Sequence, residues 1–178
     1  MFDPSVYASL LQAVDAASGS VEKGKTLEEL LAYLRDSVPG STDLRRNVVN
    51  EFGTEEIDLI FLHRPCPDGL WFLSSLILVE CKNWSRPVDS KATSYFADGI
   101  RSRGCDTGIL IAASDVTGTT AQPSAGRFVA ATHLMRDGVK VLVVTLVELR
   151  QITSIAEFIA LLRQSLMDLV SSGVYRSL

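Results

Sequence analysis

Two strand-like apolar segments of this chain carry charge where a strand can least tolerate it. Glu56-Ile57-Asp58-Leu59-Ile60 sets a carboxylate inside a β-branched run, and Leu76-Ile77-Leu78-Val79 passes directly into Glu80-Cys81-Lys82. A buried or half-buried strand pays heavily for an unpaired charge. Any sheet this chain forms must therefore gather these groups at one rim and give them a partner. A divalent cation held by Asp58 and Glu80, with Lys82 beside it, is the simplest partner.

The period of a strand adds geometry. Alternate residues share a face, so Glu80 and Lys82 point the same way with Leu76 and Leu78 behind them, while Ile77, Val79 and Cys81 point to the other side. Asp58 shares a face with Ile60 and Leu62. A hairpin with a long turn would bring Asp58, near the start of one strand, beside Glu80, near the end of the other. Two carboxylates so placed repel, and one would be pushed up in pKa unless a cation lay between them. Oxygen-only donors select a hard ion, Mg2+ or Mn2+. The Lys82 ammonium can hydrogen-bond an attacking water and stabilise charge on a phosphate, while the ion polarises the phosphoryl oxygen. This is equipment for phosphodiester hydrolysis without histidine; His63 and His133 stand in no recognisable ligand spacing. The competing reading is a surface salt bridge, since Glu-x-Lys alone is common. An acid in an apolar strand, a turn and a second apolar strand ending in Glu-x-Lys is much rarer.

The surrounding pattern is that of an α/β domain. Pro4 to Ala17 reads as a helix, and Ser18-Gly19-Ser20 breaks it. Thr26 to Ser37 reads as a second, with Thr26 and Glu29 in capping-box spacing and an apolar stripe of Leu27, Leu30, Leu31 and Leu34. Strands follow at Asp43 to Asn50, Glu56 to Leu62 and Trp71 to Lys82, with turns at Phe52-Gly53-Thr54 and Pro65 to Gly69, an antiparallel meander. The chain then alternates: helix near Asp89 to Arg103, strand Gly108 to Ala113, helix near Ser124 to Arg136, strand Val139 to Thr145, helix near Ser154 to Val170. The expected fold is a mixed central sheet with helices on both faces. The almost wholly apolar Val139–Val144 segment reads as a central, covered strand.

On the second helix, Glu28 borders the apolar stripe and Glu29 lies nearer solvent. Glu28 could reach back to the sheet and join the metal shell; alternatively, both are first-turn carboxylates favoured by the helix dipole.

These pieces resemble the PD-(D/E)xK nuclease superfamily, and more narrowly restriction-endonuclease-like domains of the Mrr type. The matching segments are Gly24-Lys25-Thr26-Leu27-Glu28, Glu56-Ile57-Asp58-Leu59, Leu78-Val79-Glu80-Cys81-Lys82-Asn83-Trp84, Thr107-Gly108-Ile109-Leu110-Ile111 and Val141-Leu142-Val143-Val144-Thr145, spanning roughly Gly24 to Leu149. The resemblance implies a restriction-endonuclease-like fold, an αβββαβ core plus an αβα extension, and Mg2+-dependent cleavage of DNA. It implies Asp58, Glu80 and Lys82 as the catalytic set with Glu28 as the helix acid. The proline of the nominal motif is replaced by Ile57. Some Mrr-type domains carry glutamine at the position of Glu80, so this is the acidic version. On this reading residues 1–178 form one nuclease-like domain, with a helical extension over 1–22, a core over 24–149 and a C-terminal helix over 150–178.

Substrate contacts would come from Arg45 and Arg46 on the first strand, Arg86 after the motif, and Lys91 at the start of the following helix; phosphate contacts give affinity without sequence information. Arg101 and Arg103 suit a helix C-terminus better. Trp84 could stack on a base or simply pack. Cys81 reads as a small core filler, and Thr117-Gly118-Thr119-Thr120 as a loop leading to a helix, without a Walker lysine.

Composition sets limits. A hydrophobic fraction of 47% excludes a disordered chain. No apolar run is long enough to span a bilayer, and Met1-Phe2-Asp3-Pro4 begins no secretory signal. Three cysteines without a Cys-x-x-Cys pair suit a reducing cytoplasm. The net charge of −4 argues mildly against a free-standing nucleic-acid binder. The alternatives to a DNA endonuclease are thus a non-catalytic module of the same fold that binds nucleic acid or protein, and a nuclease directed at RNA. A double-strand break needs two nicks, which a homodimer, or a partner subunit that also supplies target recognition, would provide.

Overall fold

The computed structural model describes residues 1–49, 56–114, 116 and 126–172. The predicted turn at 52–54 and the loop at 117–120 lie outside them. Eleven elements follow in order: α1 (Pro4–Ala16), α2 (Ser20–Ser37), β1 (Ser41–Val49), β2 (Glu56–His63), β3 (Leu76–Lys82), α3 (Ser90–Ser102), β4 (Thr107–Ala112), α4 (Gly126–Asp137), β5 (Lys140–Thr145), α5 (Leu146–Arg150) and α6 (Ile155–Ser172).

The five strands form one sheet in the order β1-β2-β3-β4-β5. β1, β2 and β3 are antiparallel neighbours, and β3, β4 and β5 run parallel. The change of direction follows from the connections. Hairpin links return the chain alongside itself, whereas α3 and α4 are the crossovers that parallel pairs require. Right-handed crossovers in one direction put both helices on one face, and α3 and α4 pack on each other there. The opposite face is covered by α2 and α6: Leu31 and Phe158 line a small void there together with Leu59, Phe61, Val79 and Ile109. This is the mixed sheet with helices on both faces expected from the sequence.

Several boundaries differ from expectation. α2 begins at Ser20, six residues before Thr26. Thr26 is inside the helix, its hydroxyl bonding back to the Glu22 and Lys23 carbonyls at 3.1 and 3.2 Å. Glu22 ties down the true start, its carboxylate accepting the Ser18 N–H at 3.0 Å. β3 begins at Leu76 rather than Trp71. The preceding residues turn instead, with the Gly69 N–H on the Cys66 carbonyl and the Leu73 N–H on the Leu70 carbonyl, and buried Leu70 and Leu73 anchor them. The apolar strand β5 is an edge strand, not a central one. α4 and α6 cover it, so Val141 to Thr145 are all buried, and coverage rather than position explains its composition. The short α5 was not anticipated; Thr145 and Glu148 form its capping box, with the Thr145 N–H donating to Glu148 Oε2 at 2.6 Å.

The N-terminal helix is held to the far end of the chain. Buried Tyr7 donates its hydroxyl to the Leu149 carbonyl at 2.7 Å, and its ring stacks on Tyr33 of α2 at 6.4 Å between centroids.

The parallel half depends on a close approach at Gly108 of β4. A Cβ there would collide with Ile100 Cδ1 and lie 2.7 Å from Phe96 Cζ, both on α3. Gly108→Ala is therefore expected to destabilise the protein by about 1–3 kcal/mol through overpacking, measured as a lower denaturant midpoint with an unchanged m-value. An unaltered midpoint would mean that α3 yields freely.

Candidate active site

The rim at which the charges gather is set by strand register. β2 and β3 pair Leu62 with Leu76, Ile60 with Leu78 and Leu59 with Val79. One further step puts Asp58 opposite Glu80, on one face of the sheet. The regular ladder stops there, and a side chain takes over: Asp58 Oδ2 accepts the Cys81 N–H at 2.6 Å. That bond fixes the Asp58 carboxylate beside the end of β3. β3 continues to pair with β4 through Glu80, Cys81 and Lys82, opposite Leu110, Ile111 and Ala112, so the motif sits on a rigid strand whose other edge is fully bonded.

Glu80 is buried at 9% exposure, while Asp58 and Lys82 are half-buried. Lys82 Nζ forms an ion pair with Glu80 Oε1. This single cation does not neutralise the site. Burial, then the Asp58 charge, push the Glu80 carboxyl up to about 7 against the opposing pull of Lys82. Asp58 is raised by burial despite the Cys81 N–H and Lys82. Glu28 of α2 is raised as well, by burial and then by Asp58, with Arg46 acting against both. Glu56 adds to the negative potential on all three; its position at the start of β2, next but one to Asp58, was the available signal in sequence.

The elements around the rim are tied together. Asn83, directly after the motif, donates its side-chain amide to the Lys23 carbonyl at 2.8 Å, which anchors the first half of α2 and so places Glu28. Sequence reasoning missed this link. It also missed Asn47, whose φ of 51° is the left-handed conformation in the middle of β1. The register brackets it between the Arg46–Leu59 and Val48–Ile57 pairs, opposite Asp58. Such strain gathers at functional sites, and asparagine tolerates it better than most residues.

The basic residues divide into two groups. Arg45 and Arg46 are exposed on β1, opposite Ile60 and Leu59, and Arg46 is close enough to lower the Glu28 carboxyl. Arg86 is exposed with its guanidinium 5.2 Å from the Trp84 ring centroid, and Lys82 Nζ lies 5.6 Å from the same ring. Trp84 is thus a packed platform for two cations. Lys91 is exposed in the first turn of α3, at the end of the sheet where β3 terminates. Arg101 and Arg103 lie at the other end of α3. Arg101 pairs with Asp98 at 3.3 Å, and Arg103 donates to the Gly99 carbonyl at 3.3 Å, the helix-terminal role expected for them.

Both histidines are engaged elsewhere. His63 Nε2 donates to the Ser74 carbonyl at 2.8 Å, and His133 lies between the Ser94 hydroxyl and Asp137. Burial pushes the Cys81 thiol well above its ordinary value, which disqualifies it as a nucleophile.

Among the described residues no group of three or more His, Cys, Asp or Glu side chains is gathered to hold an ion. Glu28 feels the Asp58 charge from α2. The facing pair still fits Mg2+ or Mn2+. Mg2+ takes one or two carboxylates and keeps several waters, and the donors of this pair are oxygens only.

The acidity of the rim has a consequence for stability. Glu80 keeps its proton up to about pH 7 in the folded protein, whereas the unfolded chain loses it near 4.5. The folded state then binds more protons between these values, and stability falls as pH rises through the window. Without divalent ions the thermal midpoint should drop from pH 5 to pH 8, by the equivalent of roughly 3 kcal/mol at most, and Glu80→Gln should flatten most of that slope. A slope untouched by the substitution would place the titration elsewhere.

Residues 22–153 match the family of Mrr catalytic domains, described as restriction endonucleases. No curated protein matches the chain. The matched span runs from the first turn of α2 to just beyond α5 and includes the whole sheet. With three-quarters of its residues inside that match, the chain belongs to the Mrr-type restriction endonuclease family.

Proposed function

We propose that this restriction-endonuclease-like domain is an active, metal-dependent DNA endonuclease with Asp58, Glu80 and Lys82 as its catalytic residues. The observation that carries this reading is the facing of Asp58 and Glu80 across β2 and β3, with the Lys82 ammonium on Glu80. Asp58 and Glu80 would hold Mg2+ or Mn2+, which supplies polarisation of a phosphoryl oxygen and a lowered pKa for water. Lys82 presents a mobile point charge to the same volume, where it orients water and stabilises the pentavalent phosphate. Glu28 assists from α2 through its charge on Asp58. Arg45, Arg46, Arg86 and Lys91 contact the phosphate backbone on either side of the rim. Their concentration near the site lets a chain of net charge −4 approach a polyanion.

Residues 24–149 form the catalytic core of one domain, with α1 and the C-terminal helix as additions. Among the described residues no helix is long and apolar enough to cross a membrane. A homodimer, or a partner that supplies target recognition, would deliver the second nick of a double-strand break.

Lys82→Ala is expected to fold normally and to lose cleavage of plasmid DNA by about 10²–10³-fold. Asp58→Asn should lose both cleavage and the rise in thermal midpoint that Mn2+ gives the wild type. The acidic net charge favours a rival, a non-catalytic binding module. Wild type that cuts neither DNA nor RNA with Mg2+ or Mn2+, and whose midpoint ignores Mn2+, would establish that rival. Cleavage of RNA alone would redirect the substrate assignment.

A further inference from the structure

The Lys82 ammonium stands between two unlike partners. It pairs with Glu80 Oε1, and it lies 5.6 Å from the centroid of the Trp84 ring. The ion pair needs an ionised Glu80 with an oxygen free for the ammonium. The ring needs only a cation over its face, where its quadrupole is negative. Lysine suits such a double attachment, because its charge is compact and its four-carbon stem is flexible.

The ring is fixed independently of Lys82. Trp84 follows it by two residues, the spacing at which an extended chain returns to one face, and packs half-buried against the core. The backbone on both sides of it is tied. The Ala113 N–H donates to the Lys82 carbonyl at 3.0 Å, and the Asn83 side-chain amide donates to the Lys23 carbonyl. The Ser114 hydroxyl donates to the Arg86 carbonyl at 2.7 Å, and Val88 bridges to Val116. Residues 82–88 thus continue alongside the chain that leaves β4, and the indole is a wall of the rim. The exposed Arg86 shares the ring, with its guanidinium 5.2 Å from the centroid.

Glu80 cannot serve two cations equally. A carboxylate that gives its oxygens to a divalent ion is no longer the counter-charge of an ammonium, and two positive charges so close repel. The Trp84 face is already in contact with Lys82, and none of the ties that hold it involves the Glu80 carboxylate. We infer that Trp84 is a positioning residue, which retains Lys82 at the rim when Glu80 turns to a divalent ion. The ammonium passes from the carboxylate to the indole and meets the phosphate from there. Without the ring the flexible stem would carry its charge into solvent, and ordering it again costs rotamer entropy. This inference rests on the proposed nuclease reading and deepens it by naming the group that holds the lysine.

Trp84 is its own reporter. Trp71→Phe removes the chain's other tryptophan, which is 55% exposed and precedes β3, at the opposite end of that strand from Lys82. Mg2+ is titrated without DNA into the full chain carrying this change, and followed by calorimetry and by Trp84 emission. The emission is expected to change saturably, with the same midpoint as the heat. With Lys82→Met added, the heat should remain and the emission change should vanish. In cleavage assays with Mg2+, Trp84→Leu should keep the Mg2+ heat and lower kcat about tenfold at saturating DNA, and Trp84→Phe, which retains a ring face, should recover most of the loss. Mg2+ heat with unmoved emission overturns the inference and leaves the metal site standing. So does an emission change that survives Lys82→Met, which would belong to the ion alone, or an undiminished kcat in Trp84→Leu. Absence of Mg2+ heat removes the nuclease reading and the inference with it.

Discussion

The geometry of the rim depends on one hydrogen bond, from the Cys81 N–H to Asp58 Oδ2. Up to Leu59 and Val79 the two strands are joined by main chain; beyond them the carboxylate does the joining. An acid at this position serves the fold and, in the proposed reaction, the chemistry as well. It satisfies a main-chain donor that would otherwise be orphaned at a strand end, and in doing so it is held beside Glu80 on a backbone that cannot drift. The parallel pairing of β3 with β4 holds the other side. Asp58, Glu80 and Lys82 thus inherit the rigidity of the sheet, which favours a site built on strands over one built on loops.

That rigidity is obtained against electrostatic resistance. Three carboxyls, Glu28, Asp58 and Glu80, are all raised, and in each case burial is the first cause. Lys82 opposes the shift at Asp58 and Glu80, and Arg46 opposes it at Glu28, without cancelling it. The remainder of the molecule carries the cost through its apolar layers: Leu27, Leu30 and Leu34 of α2 on one side, Ile100 and Phe96 of α3 on the other, all buried.

The sequence made the sheet legible because β2 alternates in burial and β3 is an apolar run that ends in charge. The pairing of Asp58 with Glu80 followed from face parity, which survives errors in strand length; beginning β3 at Trp71 instead of Leu76 left the parity of Glu80 unchanged. Position within the sheet was less legible. Val139 to Val144 has the composition of a covered strand, and hydrophobicity reports coverage, not neighbours, so an edge strand beneath α4 and α6 reads as central. The start of α2 was missed because Thr26 and Glu29 imitate a capping box, while the cap that operates uses Glu22 and the backbone of Ser18. The links through Asn83 and the strain at Asn47 have no periodic signature at all; they exist only once the chain has closed on itself.

α2 is the element through which distant parts of this molecule meet. Glu28 and Arg35 are seven residues apart, two turns of helix, with Leu31 between them on the same side. One end of that stripe feels the charge of Asp58, and the other end lines a small apolar void over the sheet. The Asn83–Lys23 bond fixes the helix at the rim, and α1 packs along it through Tyr7 and Tyr33. A packed helix moves as a body rather than bending continuously. The two charged residues of this stripe stand in different surroundings: an acid where negative charge is already in excess, and a base paired with Asp36 at 2.6 Å. Both are tolerable because they ride on a helix whose leucines are buried to completion.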